Sequence, residues 1–177
     1  MKQNYYVFLD IDGVLWAWPN RKKEIHAGNI KMGSRIREFD PSSMLALGVL
    51  LDSLNKRYNV TLVITSSWQE HMKDLMSIMK KYNTPKVFKI EITGRRGARG
   101  PIIFDHLKDK QDKENFCIVD DETSDMPEFL HSDKIIKTKG MHKGSLTLKQ
   151  VHKFLNKIGV PIVQTSLSAP KNAEIQM

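Results

Sequence analysis

The chain has 177 residues, 28 basic and 20 acidic, for a formal charge of +8, and a single cysteine, Cys117. That length fits one domain, and one cysteine excludes both an internal disulfide and a multi-cysteine zinc site. No apolar run approaches the roughly 18–20 residues that cross a bilayer, and the first residues, MKQNYYVFLDIDG, lack the shape of a signal peptide. A cytoplasmic protein with no membrane association, monomeric or weakly dimeric, is therefore expected. The positive balance favours polyanions such as nucleic acids, or phosphorylated ligands, against the plainer reading of lysines spread over solvated helix faces.

Residues 5–9 (YYVFL) read as a buried parallel strand that runs straight into acidic residues and glycine. An irregular basic stretch follows over 16–39, a flap carrying Arg21, Lys22, Lys23, Lys31, Arg35 and Arg37 beside Trp16 and Trp18. Asp40-Pro41-Ser42-Ser43 marks a helix start, a capping residue and then proline in the first turn. This helix is expected to reach about residue 58, with an apolar face made by Met44, Leu45, Leu47, Val49, Leu50, Leu51 and Leu54. Residues 60–64 (VTLVI) form the second strand and end at Thr65-Ser66-Ser67. A helix over 68–82 carries Met72, Leu75, Met76 and Met79 at core spacing. Residues 87–92 read as a third strand, 93–100 (TGRRGARG) as a glycine-arginine loop, and Pro101 opens a helix to about residue 110. Residues 116–119 form a strand ending at Asp120-Asp121, 134–138 a short edge strand, and 146–158 an amphipathic helix. The tail from 159 is polar and aperiodic. Strands alternating with helices predict an α/β fold, a Rossmann-like parallel sheet with helices on both faces, as one domain over 1–158 with a tail over 159–177.

Function in such sheets gathers at the carboxyl ends of strands. Three strands here end in polar residues: Asp10-Ile11-Asp12-Gly13, Thr65-Ser66 and Asp120-Asp121. If strand geometry held, Asp10 and Asp12 would face the same way, and a turn at Gly13 lets Asp12 swing aside. One carboxylate can then attack phosphorus while the other handles protons. Carboxylates this close repel each other, and a hard cation relieves the repulsion; oxygen ligands beside phosphate select magnesium, with Asp121 completing the site from the neighbouring strand. The plainer readings stand beside these. Thr65 and Ser66 can cap the following helix, Arg95, Arg96 and Arg99 can be solvated loop charges, and Cys117 reads as a buried, inert thiol. The six histidines show no metal-ligand spacing.

The segment DIDGVL (Asp10 to Leu15) resembles the first motif of the haloacid-dehalogenase (HAD) superfamily, VITS (Val63 to Ser66) the second, and IVDD (Ile118 to Asp121) the fourth. TSSW after the second strand, RRGARG before a helix and VDDE narrow the resemblance to the HAD domains of RNA-repair and polynucleotide 3′-phosphatase proteins. It covers roughly residues 5–158. The resemblance implies a Mg2+-dependent phosphomonoesterase with Asp10 as nucleophile and Asp12 as acid and base. Thr65, or else Ser66, would hydrogen-bond a phosphoryl oxygen, with Gly13 and Arg96 near the substrate. Asp121 would hold the metal with Asp10 and the main-chain carbonyl of Asp12, while Asp120 and Asp125 support from behind. Arg99 is the candidate for the third motif, with Arg95, Arg96 and Lys108 as rivals. The gaps after the first and second motifs leave no room for a full cap domain, which suits a phosphate at the end of RNA or DNA, or a nucleotide. A non-enzymatic binding module and a phosphoprotein phosphatase are the alternatives; Val14 stands where the latter's DxDxT pattern has threonine. No P-loop is present in the sequence, so no kinase module accompanies this one.

Overall fold

Five segments rich in β-branched and aromatic residues pair side by side. They are β1 (Asn4–Leu9), β2 (Asn59–Ile64), β3 (Lys89–Ile92), β4 (Phe116–Asp120) and β5 (Ile135–Lys137). The computed structural model describes residues 1–19, 39–94 and 97–164. The basic flap cluster from Arg21 to Arg37, both Arg95 and Arg96, and residues 165–177 lie outside the described residues. The sheet is wholly parallel, in the order β3-β2-β1-β4-β5. Parallel neighbours need crossovers, and α1 (Pro41–Arg57), α2 (Met72–Lys81), α3 (Arg99–Leu107) and α4 (Leu148–Lys157) supply them or cover the sheet.

The faces follow from strand parity. Val7 and Leu9 of β1, with Leu62 and Ile64 of β2, point into a core completed by α1, α2 and α4. Tyr6 and Phe8, with Val63 and Ile118, point to the other face, where Ile103 and Leu107 of α3 and the loop residues Met126 and Leu130 meet them. Helices thus cover both faces. Each fully buried leucine of α1 contributes about 1.5–3 kcal/mol by leaving water. No helix among the described residues is long and apolar enough to cross a membrane.

Three expectations change in detail. The helix expected over 68–82 is broken: a 3-10 turn, Ser67–His71, precedes α2, and Met76 faces solvent while Ile78 joins Leu75 and Met79 in the core. The helix expected from Pro101 begins at Arg99, because the Asp125 carboxylate accepts from the Gly100 N–H at 2.8 Å and supplies a cap that lies distant in sequence. Asp40 does stand before α1, but its carboxylate accepts from the N–H of Ala17 (3.0 Å) and the hydroxyl of Ser145 (2.8 Å), so it ties loops together instead of capping the helix. Past residue 158 the chain docks for a few residues, with Val160 buried and the Val163 N–H bonded to Ser53 Oγ. Cys117 is buried, and burial pushes its thiol up to about 12.

The placing of α3 depends on an ionic clamp across its far end. Glu91 of β3 contacts His106 Nε2 at 2.9 Å, Lys110 Nζ at 2.8 Å and Lys89 Nζ at 2.7 Å. Burial alone would raise the Glu91 carboxyl, but hydrogen bonds from Lys110 and Lys89 bring it down to about 2. A depressed carboxyl stabilises the fold above its ordinary value of 4.5 and loses that contribution as pH falls toward about 2. Glu91→Gln should therefore lower stability at neutral pH by about 1–2 kcal/mol, and the gap from the unsubstituted protein should close on the acid limb. Urea denaturation across pH measures it; a gap that stays constant through that window would refute the clamp.

Candidate active site

Parallel pairing in register brings the strand ends to one edge. Leu9 lies opposite Ile64 and Val119, so the next residue of each strand, Asp10, Thr65 and Asp120, stands at the same level. The Asp10 N–H donates to Val119 O and the Thr65 N–H to Leu9 O, both at 3.0 Å, which carries the ladder one step beyond the strands. Parity then puts all three on the face of Phe8, Val63 and Ile118, the face covered by α3. That helix presents Arg99 from its first turn.

Arg99 joins two of the acids. Its Nη2 lies 3.2 Å from Asp10 Oδ1, and its Nη1 donates to Asp120 Oδ2. Burial opposes the arginine's charge, but the carboxylates of Asp10 and Asp120 hold it protonated. Asp10 and Asp120 are both buried. Burial raises the Asp10 carboxyl despite Arg99, and burial together with the charge of Asp10 pushes Asp120 up to about 7. Asp121 follows in the turn after β4, its carboxyl also raised by burial.

Oxygens of Asp10, Asp120 and Asp121 all lie within 4.8 Å of one another. Fully ionised, three carboxylates against one guanidinium leave two negative charges, which a divalent cation would offset, and oxygen donors of this kind suit a hard ion such as magnesium. Asp120, expected behind the site, is a full member of this group.

Asp12 is placed differently. Its Oδ1 accepts from Trp16 Nε1 at 2.7 Å and Trp68 Nε1 at 3.3 Å. Gly13 turns the chain at φ +80°, and the indoles hold the Asp12 side chain, which is not part of the close group of three acids though its charge still raises Asp121. Trp16, expected beside the basic flap residues, is buried and bonded to Asp12. Trp18 packs edge-on against it with centroids 5.4 Å apart and is 46% exposed.

Of the remaining expected residues, Thr65 has a buried hydroxyl that finds no hydrogen-bond partner among the described residues. An unsatisfied buried hydroxyl costs about 1–3 kcal/mol, and a ligand oxygen would relieve that cost. Ser66 is buried, and its side chain works against the rise that burial causes in the Asp10 carboxyl. Thr65, Ser66, Ser67 and Arg99 line an open cavity of about 230 Å³. Asp125 acts through Gly100 N and so fixes the start of α3. Lys108 lies at the far end of α3, exposed and paired with Asp105.

The loop after β5 completes the site, and no catalytic motif in the sequence marks it. Thr138 Oγ1 donates to Gly13 O at 2.9 Å, the Trp18 N–H to Met141 O at 2.8 Å, and the Leu146 N–H to Val14 O at 2.8 Å. Asp121 is thereby enclosed. A Cβ on Gly13 would stand 2.4 Å from Asp121 Oδ2 and 3.0 Å from Met141 N, and one on Gly140 (φ +84°) 2.9 Å from the same Oδ2. The signal available in sequence was the spacing of small residues in KTKGMHKGS, which only the fold connects to Gly13.

A doubly wound parallel sheet with acids gathered at the ends of β1 and β4, and an arginine brought over them by the covering helix, is the architecture of the HAD superfamily. Within it, the chain belongs to the family described as the HAD domain in Swiss Army Knife RNA repair proteins, which it matches over residues 6–166. Comparison with curated proteins and with solved structures gives no match.

Gly13 and Gly94 test the packing around Asp121. Both have left-handed φ, +80° and +70°, but a Cβ at Gly94 meets nothing within 4 Å. Gly13→Ala should therefore cost about 1–3 kcal/mol more than Gly94→Ala in chemical denaturation. Equal losses would mean that backbone strain alone accounts for the glycine.

Proposed function

We propose that the protein is a magnesium-dependent phosphomonoesterase that works through an aspartyl-phosphate on Asp10 and acts on phosphate-bearing ends of nucleic acids or on nucleotides. The observation that carries this reading is the convergence of Asp10, Asp120 and Asp121 under Arg99, beside the partnerless buried hydroxyl of Thr65. Membership of a family described by RNA repair supports the substrate class.

Asp10, paired with the Arg99 that lines the open cavity, attacks phosphorus and expels the alcohol. Arg99 offsets the nucleophile's charge so that an anionic phosphate can approach, and it grips a phosphoryl oxygen. Thr65 Oγ1 donates to another phosphoryl oxygen. Asp12, held by two indole N–H groups, protonates the leaving oxygen and then takes the proton of the water that cleaves the acyl-phosphate. Keeping that carboxylate apart from the other three leaves its proton chemistry distinct from metal binding. Asp10 and Asp121, with the Asp12 main-chain carbonyl, would hold magnesium, which would supply charge neutralisation. With no room for a full cap domain in the sequence gaps, the site stays open to the end of a large molecule.

Phosphate release from an aryl phosphate, nucleoside 3′- and 5′-monophosphates and 3′-phosphorylated oligonucleotides is the test. Release should require magnesium, stop with EDTA, and fall by roughly three orders of magnitude or more in Asp10→Asn. Thr65→Val should lower kcat about a hundredfold, since it removes one donor to the transferred group. Release that persists in EDTA or in Asp10→Asn would overturn the mechanism.

A further inference from the structure

The sequence changes character after Asp133. From residue 134 to 173 there is no Asp or Glu, while seven lysines fall between Lys134 and Lys157. The fold brings part of this basic run to the active site. Gly140 lies against Asp121, and the Gly140–Gly144 bridge closes a tight loop. Lys139, His142 and Lys143 stand exposed on that loop. Among the described residues, neither Lys139 nor Lys143 is in an ion pair, so their charge is presented outward.

Trp18 stands against the same loop. Its N–H donates to Met141 O, and its ring is braced edge-on by Trp16, which itself bonds Asp12. An indole that is 46% exposed yet held on two sides loses little freedom when a flat ring stacks on it. Its position matters chemically. Asp12 protonates the leaving oxygen, so the body of the substrate leaves the site on the side of Asp12, Trp16 and Trp18.

We propose that Trp18 and the 139–144 loop form a track for a single-stranded nucleic acid, the strand whose terminal phosphate enters the site. Trp18 stacks on a base near the end, and Lys139, His142 and Lys143 contact the phosphodiesters behind it. This rests on the phosphomonoesterase reading for the direction of the strand. A run of cations without acids, next to an exposed ring, matches a polyanion with aromatic bases. A peptide carrying one phosphate would engage neither the repeated charge nor the ring.

Fluorescence anisotropy with a short labelled RNA ending in a 3′-hydroxyl, the product end, tests the track without turnover. The protein should bind it with an affinity that falls steeply as salt rises. Lys139→Ala/Lys143→Ala should weaken binding about tenfold and reduce the slope of log affinity against log salt by about 1.4, near 0.7 for each lost phosphate contact. Lys108→Ala/Lys113→Ala, the same loss of charge at the far end of α3, should weaken it by less than threefold. Trp18→Ala should weaken binding about tenfold with the slope kept, and Trp18→Phe should restore most of it. The track is overturned if the Lys139/Lys143 variant keeps the parent's affinity and slope, if both lysine pairs act equally, or if a phosphoserine peptide competes as well as the RNA. Magnesium-dependent hydrolysis of an aryl phosphate, run beside it, separates the two readings. Hydrolysis with unaltered RNA binding in the variants sinks the track alone, whereas no hydrolysis with the expected binding losses sinks the catalytic reading alone.

Discussion

Three buried or half-buried carboxylates with oxygens within 4.8 Å set the problem that this structure solves. At an effective dielectric near 20, each fully charged pair at such a separation repels by about 3–4 kcal/mol. Among the described residues of the strands, no basic side chain pairs with these acids. Arg99 does, by bonding to Asp10 and Asp120 at once, and it comes from the helix that covers the strands' outer face. The placing of α3 is therefore an electrostatic requirement as well as a packing one. It is fixed at both ends: Asp125 takes the Gly100 N–H at the start, and Glu91 holds His106 and Lys110 at the other end.

One guanidinium does not neutralise three acids; burial raises the carboxyls of Asp10, Asp120 and Asp121, and the charge of Asp10 adds to the rise at Asp120. A site left short of positive charge favours whatever restores it, which is the physical sense of pairing such a cluster with a divalent cation. Asp12 is held by two tryptophans, although its charge still helps to raise the Asp121 carboxyl. Acids a few residues apart in sequence thus have different environments and, in the reading proposed above, different tasks.

The loop after β5 adds a further layer. It bonds to Gly13, Val14 and Trp18, and it encloses Asp121 against two glycines. Ser145 and Asp40 extend the same connections to the start of α1. Residues more than a hundred positions apart therefore set the shape of the first turn after β1, and this basic loop lies against Asp121.

Much of this was legible in the sequence because strands and helices carry local periodicity. The short apolar runs at β1, β2 and β4 each stop at a polar residue, and alternation along a strand already implies that Asp10, Thr65 and Asp120 share a face once the register is known. Asp10, Asp12, Thr65, Asp120 and Asp121 were nameable from their positions at strand ends. The register itself was not, since pairing joins residues distant in the chain. Nor was the true start of α3, because its cap is Asp125, contributed from beyond β4. The exposure of Met76 escaped notice because the 3-10 turn before α2 rotates the helix relative to an unbroken one. The sequence by itself determined the strand order of events: which segments become strands, where each ends, and which acids stand there, because those depend on neighbouring residues alone. Only the tertiary structure decided that Arg99 bridges two of the acids, that Trp16 and Trp68 hold the fourth apart, and that Gly140 makes room for Asp121, because each is a contact across space between segments that no local pattern connects.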